Sequence, residues 1–158
     1  MANLMSVEAA RTAFFRDGRL PADFNHSVLR SWIRCSEMGL DASAQPRVAP
    51  MSAAELRAAC DRHETLRRIS RPELDALYAE ARETGAIVIL TNAEGVILDA
   101  VGDPGFAERA AQVALRPGAV WNEAGAGTNA IGTALAERRG AAVNGAEHFY
   151  AEHRGLTC

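Results

Sequence analysis

An α+β fold, an antiparallel sheet flanked by helices, is what this 158-residue sequence predicts, and three observations predict it. Apolar residues in the first eighty positions recur at helical spacing between capping signals. Near Ala86 the pattern changes to a β-branched apolar run that doubles back through a turn. Short helical and extended stretches then alternate between Gly and Pro breaks, giving the order helices, hairpin, helix, strand, helix, strand.

The elements follow in order along the chain. Ser6 is placed to cap a helix through Ala9, Ala13, Phe14 and Phe15, which Gly18 ends. Pro21 breaks the chain. Asn25 then caps a second helix with Val28, Leu29, Trp32 and Ile33 on one face, stopped by Gly39. Residues 41–50, with Pro46 and Pro50, form a polar connector. Two capping boxes come next. Ser52-x-x-Glu55 opens a helix carrying Leu56, Ala59, Cys60, His63 and Leu66. Ser70-x-x-Glu73 opens another carrying Leu74, Leu77, Tyr78 and Ala81, closed near Gly85.

Ala86 to Thr91 and Val96 to Val101 are strands joined by the turn Asn92-Ala-Glu-Gly95. Both are nearly all apolar, so the pair is expected at the centre of a sheet with both faces covered. Gly102-Asp103-Pro104 breaks it, a helix with Phe106, Ala110 and Val113 inward follows, and Pro117-Gly118 turns the chain. Ala119 to Glu123 is a candidate strand and Gly125 to Gly127 a flexible loop. Asn129 to Arg139 is a short helix with Ile131, Ala134 and Leu135 inward, ended by Gly140. Ala141 to Asn144 is another candidate strand, and Glu147 to Arg154 a helical turn. Residues 155–158 read as the start of one more strand. The sheet is therefore expected to be unfinished at Cys158, with edges that natural sheets normally cover.

Composition narrows the function. A 48% apolar and 23% charged chain is an ordinary globular one. The net charge of −3 carries no basic footprint for nucleic acid, so no direct nucleic-acid contact is expected. The strongest apolar run, Ile87 to Leu90, is far short of the ~20 residues that span a bilayer. Nothing at the start reads as a signal peptide. Three widely spaced cysteines, Cys35, Cys60 and Cys158, are neither a disulfide framework nor a zinc module and suit a reducing cytoplasm.

The motifs are each open to a plainer account. Gly125-Ala-Gly127-Thr-Asn-Ala130 matches a dinucleotide-loop pattern, but Trp121-Asn122-Glu123-Ala124 before it is no buried strand. A tight turn with Thr128 or Asn129 capping the next helix explains it equally. A milder functional version has N–H groups at that helix start holding an anionic or carbonyl group. His148, His153 and Cys158 are spaced by fives, which does not gather them on one helical face for a metal. Cys158 is a nucleophile only if its pKa is lowered. No catalytic residue, metal or cofactor is therefore assigned.

Four stretches carry a resemblance. They are Leu29-Arg-Ser-Trp-Ile-Arg-Cys35 with Gly39-Leu-Asp41, and Leu90-Thr-Asn-Ala-Glu-Gly-Val-Ile-Leu98 with Gly102-Asp103. The third is Pro117-Gly-Ala-Val-Trp-Asn-Glu123 with Gly127-Thr-Asn-Ala-Ile-Gly-Thr-Ala-Leu135. The fourth is Gly145-Ala-Glu-His-Phe149 with Leu156-Thr-Cys158. With these the sequence resembles the N-terminal region of acetoin-catabolism-type, sigma-54-dependent transcriptional activators. Asn92 and Glu94 stand where aspartates are usual, and Asn122 where a serine is.

The resemblance implies a GAF-like sensor domain at 70–158, incomplete at its C-terminal strands, behind an N-terminal helical region at 1–69. It implies a binding module, not an enzyme: a small-molecule metabolite in a pocket lined by Trp121, Glu123, Thr128, Asn129, Thr133, His148 and Phe149. The ATPase and DNA-binding modules of such activators are expected to be lacking, since no P-loop is present. A homodimer through the N-terminal helices around Trp32 and Ile33 is compatible with this. The competing function is a GAF-fold redox enzyme of the methionine sulfoxide reductase kind using Cys158.

Overall fold

The structure, a computed structural model, describes residues 5–48, 50–103, 105, 108, 110 and 112–158. The chain divides into two compact units, Met1–Arg47 with Asn122–Cys158, and Val48–Trp121. The helical first 69 residues are thus shared between the two.

The first unit begins with α1, Val7–Arg11. Ser6 Oγ accepts from the Ala9 N–H at 3.2 Å, and the helix runs on as a wider π turn over Thr12–Arg16. Gly18 at φ +65° follows. The next helix, α2 (His26–Glu37), starts where Asn25 Oδ1 accepts from the N–H groups of Ser27 and Val28. Its buried face is Val28, Ser31, Trp32 and Cys35, where the sequence suggested Leu29 and Ile33, which are only half-buried. The reason is aromatic: Trp32 turns inward among Phe14, Phe15 and Phe24, at ring distances of 5.7, 5.1 and 5.1 Å. That orientation carries Ser31 and Cys35 in with it. Ala10, Phe24, Val28, Trp32, Cys35, Phe149 and Tyr150 make the core. Trp32 is fully enclosed and offers no surface to the expected dimer contact, whereas Ile33 is half-buried.

Two short helices, α5 (Glu123–Ala126) and α6 (Ala130–Glu137), lead into the C-terminal segment of this unit. In α6 the buried residues are Gly132 and Thr133, while Ile131, Ala134 and Leu135 are half-buried. The two stretches expected as strands, 141–144 and 155–158, meet in one antiparallel bridge, Asn144 to Thr157. Val143 and Cys158 exchange N–H···O bonds of 2.9 Å beside it. Between them the expected helical turn is two 3₁₀ turns, Gly145–Glu147 and Ala151–His153.

In the second unit the Ser52–Glu55 capping box forms in full at the start of α3 (Ala53–Arg62). The Ser70–Glu73 box does not form. Both residues lie inside α4, an 18-residue helix over Glu64–Ala81 that continues through Pro72. An interior proline costs about 3 kcal/mol, yet the helix is held on both sides of it. Arg67 donates to both carboxylate oxygens of Asp99 at 2.7 and 2.9 Å, and Leu74 is buried. Tertiary anchoring overrides the local stop signal. Beside that face, α4 leaves Leu66, Ile69 and Leu77 41–64% exposed.

The hairpin pairs β1 (Val88–Thr91) with β2 (Ile97–Val101) antiparallel, with a bulge between Leu90 and Thr91. Asn92 Oδ1 accepts from the N–H groups of Glu94 and Val96 and organises the turn. The candidate strand at Ala119 contracts to one bridge, Val96 to Val120. Every residue of β1 is half-buried, so the hairpin is less completely covered than its apolar sequence suggested. Of the helix expected after Pro104, positions 105, 108, 110 and 112 are helical and Ala110 is buried. Phe106 lies outside the described residues. No helix among the described residues is long and apolar enough to cross a membrane.

Candidate functional site

The polar centre of the first unit is built on Glu123. Asn122 caps α5 by accepting from the Gly125 N–H at 3.0 Å, which fixes Glu123 at the first helical position. Gly132 lets α6 approach it closely: a Cβ there would lie 2.7 Å from the Glu123 nitrogen. The Glu123 side chain is 6% exposed. Arg34 of α2 donates to both its oxygens at 2.7 Å, and the Ser31 hydroxyl donates at 2.6 Å. Thr133 Oγ1 lies 3.2 Å from Glu123 Oε1 and from Ser31 Oγ, and Thr128 Oγ1 lies 2.8 Å from Ser31 Oγ. A bidentate guanidinium–carboxylate pair with its remaining lone pairs filled is the arrangement a buried charge needs.

The network extends to Glu137 at the end of α6. This carboxylate accepts from Arg30, Arg139, Ser27 and Arg34 at 2.7–3.3 Å. The Arg30 guanidinium, then Arg139 and Ser27, hold it well below the usual carboxylate range. Together the two glutamates fasten α2 to α5 and α6.

Six of the seven residues expected to line a pocket fall in this unit, and all six are buried. Glu123, Thr128 and Thr133 share the network above. Asn129 caps α6, accepting from the Gly132 N–H at 2.9 Å and donating to the Gly127 carbonyl at 2.8 Å. The helix start is thus filled by the chain's own carboxamide, and the Gly-rich stretch is a turn and cap. Trp121 belongs to the second unit, where it is fully buried and its Nε1–H donates to the Ala114 carbonyl.

Phe149 is in the core. His148 is fully buried, with Nδ1 3.0 Å from the Gly145 carbonyl and Nε2 3.6 Å from the Cys158 sulfur. Burial pushes the Cys35 thiol up to about 11, and desolvation of the sulfur pushes the thiol of Cys158 up although that residue is exposed. Neither environment favours the thiolate a redox enzyme needs. Among the described residues no three His, Cys, Asp or Glu side chains are grouped to hold a metal.

Burial, and then the neighbouring His148, lower His153 to about 4. An unfolded histidine takes its proton near 6.5. Folding therefore excludes a proton that the unfolded chain accepts. The stabilisation is complete above about pH 6.5 and fades as pH falls toward 4. Urea unfolding should lose on the order of 2 kcal/mol between pH 7 and pH 4.5. His153→Gln should flatten that part of the profile; an unchanged slope would remove His153 as its source.

Sequence reading missed Ser31, Arg34, Glu137 and Arg11. The first two sit beside Trp32 in the stretch Leu29–Cys35, and two polar residues on the strongest apolar face were the available signal. Arg11, on α1, donates to the carbonyls of Ala146, His148 and Phe149 at 3.0, 2.7 and 3.1 Å. It also lies over the rings of Phe15 and Trp32. It walls a cavity of about 770 Å³ between α1, the loop Leu40–Ser43 and Ala151–Arg154.

The comparisons with known proteins agree with this architecture. The family described as the MimR N-terminal domain matches residues 5–158. The acetoin catabolism regulatory protein of Cupriavidus necator is 38% identical over 132 residues, 83% of this chain and 20% of that protein. The propane 2-monooxygenase operon transcriptional activator MimR of Mycolicibacterium smegmatis is 33% identical over 156 residues, 96% of this chain and 25% of its own length. The chain thus spans about a fifth to a quarter of these curated relatives. Among solved structures, the E. coli DhaR(N)–DhaL complex matches with a TM-score of 0.76 at 15% identity. The match covers 82% of this chain and 44% of the other, a likeness of fold, GAF-like and α+β. The chain belongs to the MimR N-terminal domain family.

Proposed function

We propose that this domain is the signal-input module of a transcriptional activator, binding a small metabolite and acting by binding, not catalysis, without a cofactor. Nucleic-acid contact belongs to other modules in this reading. Arg11 carries it: one side chain both walls the 770 Å³ cavity and grips the Ala146–Phe149 backbone. The cavity is within the range of small-molecule sites, roughly 300–1,000 Å³. Phe15 lines it too, and its ring meets Phe149 at 5.3 Å. An occupant that moves Arg11 or Phe15 shifts His148 and Phe149 directly. Through the Trp32 Nε1–H bond to the Glu147 carbonyl, it also shifts α2. Glu123, Thr128, Asn129 and Thr133 form the polar layer that links α2 to α6 and reads that shift.

Thermal-shift screening against diols, hydroxyketones and aromatic catabolites tests the proposal. Saturation at a hundredfold excess over Kd adds ~2.7 kcal/mol, which raises Tm by roughly 5–10 °C in a domain of this size. A panel in which no compound shifts melting or the output of the complete activator would discard it.

Homodimerisation is part of the same proposal. Three of the exposed large apolar residues, Leu66, Ile69 and Leu77, fall together on one side of α4 and would carry it. Antiparallel contact that sets Leu66 against Leu77 of a second copy also sets Arg68 against its Asp75, whereas parallel contact sets like charges together. Ile69→Glu should convert a sedimenting dimer to monomer with little change in Tm. Wild-type protein that is monomeric at high concentration would rule this contact out.

A further inference from the structure

We infer that the cavity beside Arg11 selects organic anions, a carboxylate on a short apolar body of about the size of benzoate or hexanoate. This rests on the sensor reading and adds the chemical class of its ligand. Two guanidiniums, Arg11 and Arg154, face the same cavity, and among the described residues neither forms an ion pair with a carboxylate. Like charges placed together without a counter-ion are costly. Here burial, and then Arg154, already bring Arg11 down to about 10. An anion between the two would relieve both effects.

Donors are free to receive it. Arg11 spends its Nη1 hydrogens and one Nη2 hydrogen on backbone carbonyls, leaving Nε–H and the second Nη2–H. The Arg154 fork has no described side-chain bond. Two acids also border the cavity, and neither forms an ion pair with either guanidinium. Asp41 is turned to its own loop, accepting the Ser43 N–H at 2.9 Å and its hydroxyl at 2.7 Å. Glu8 stands on the exposed rim one helical turn before Arg11, and its charge offsets less than burial and Arg154 impose. Phe15, Leu40, Ala42 and Ala151 supply the apolar wall for the ligand's body. Charged recognition at one end and apolar cover at the other is the usual division of labour in such sites.

Isothermal titration of benzoate and hexanoate, against their neutral amides benzamide and hexanamide, tests this on the wild type and on Arg154→Gln. Arg154 is exposed, so the variant is expected to fold, with circular dichroism as the check. The acids should bind at least about tenfold tighter than the amides, and Arg154→Gln should remove about that factor for the acids alone. Added salt should weaken the acids selectively. Equal affinity for acid and amide, insensitivity to Arg154→Gln, or no binding of either acid at millimolar concentration would overturn the inference. A neutral metabolite that binds and changes activator output while the acids do not would overturn anion selection and leave the sensor reading standing. No response to any compound would remove both.

Discussion

Replacing Gly127 by alanine should cost on the order of 3–5 kcal/mol, enough to unfold much of a domain whose total stability is about 5–15 kcal/mol. Two independent effects add. The backbone at Gly127 sits at φ +64°, ψ −159°, a region closed to residues with a Cβ at a cost of about 1–3 kcal/mol. The added methyl would also stand 2.6 Å from Phe149 Cβ and 3.0 Å from the Tyr150 ring. Phe149 and Tyr150 are 0% and 2% exposed and packed in the aromatic core. Neither ring has room to yield, and overpacking of this kind costs about 1–3 kcal/mol. Gly140→Ala is the matched control, because a Cβ there meets nothing within 4 Å; it should stay within about 0.5 kcal/mol of wild type. Urea denaturation of the two variants decides the matter. A Gly127→Ala protein within about 1 kcal/mol of wild type would mean that the loop does not approach Phe149 as described.

The same glycine shows where sequence reading stops. Gly125-Ala-Gly127 was legible as a turn, and the caps at Ser6, Asn25, Ser52 and Asn129 were legible because each is a contract between residues two or three apart. The hairpin was legible because a β-branched run and an Asn-x-x-Gly turn are local too. What the glycine avoids, Phe149, lies far along the chain, and no local pattern announces it. The Ser70–Glu73 box failed for the same reason in reverse. A sound local start signal was overruled by Arg67–Asp99 and by Leu74, which hold one continuous helix. The candidate site divides in the same way. Its motif residues were recognisable as a block, but their burial was not, because it is made by α2, nearly a hundred residues earlier. Ser31 and Arg34 gain their meaning only when Glu123 arrives beside them.

Truncating Glu123 to alanine should destabilise the domain by about 3 kcal/mol, the lower end of the cost of breaking a buried ion pair. The lower end applies because Arg34 keeps 30% side-chain exposure and a second bond to Glu137 at 3.3 Å. Most of the loss comes from what is left behind: the Ser31 and Thr133 hydroxyls lose their charged acceptor, and Arg34 loses two of its three carboxylate bonds. Glu123→Gln keeps the volume and one acceptor oxygen, so it should cost less, about 1–2 kcal/mol. A double variant, Glu123→Met with Arg34→Met, removes both charges together and should recover a large part of what either single change loses. Urea unfolding of wild type, Glu123→Met, Arg34→Met and the double variant gives the coupling energy. A value near zero would mean that Glu123 is held by its hydroxyl neighbours and not by Arg34. A coupling of 1–3 kcal/mol would make the pair the clamp between α2 and α5.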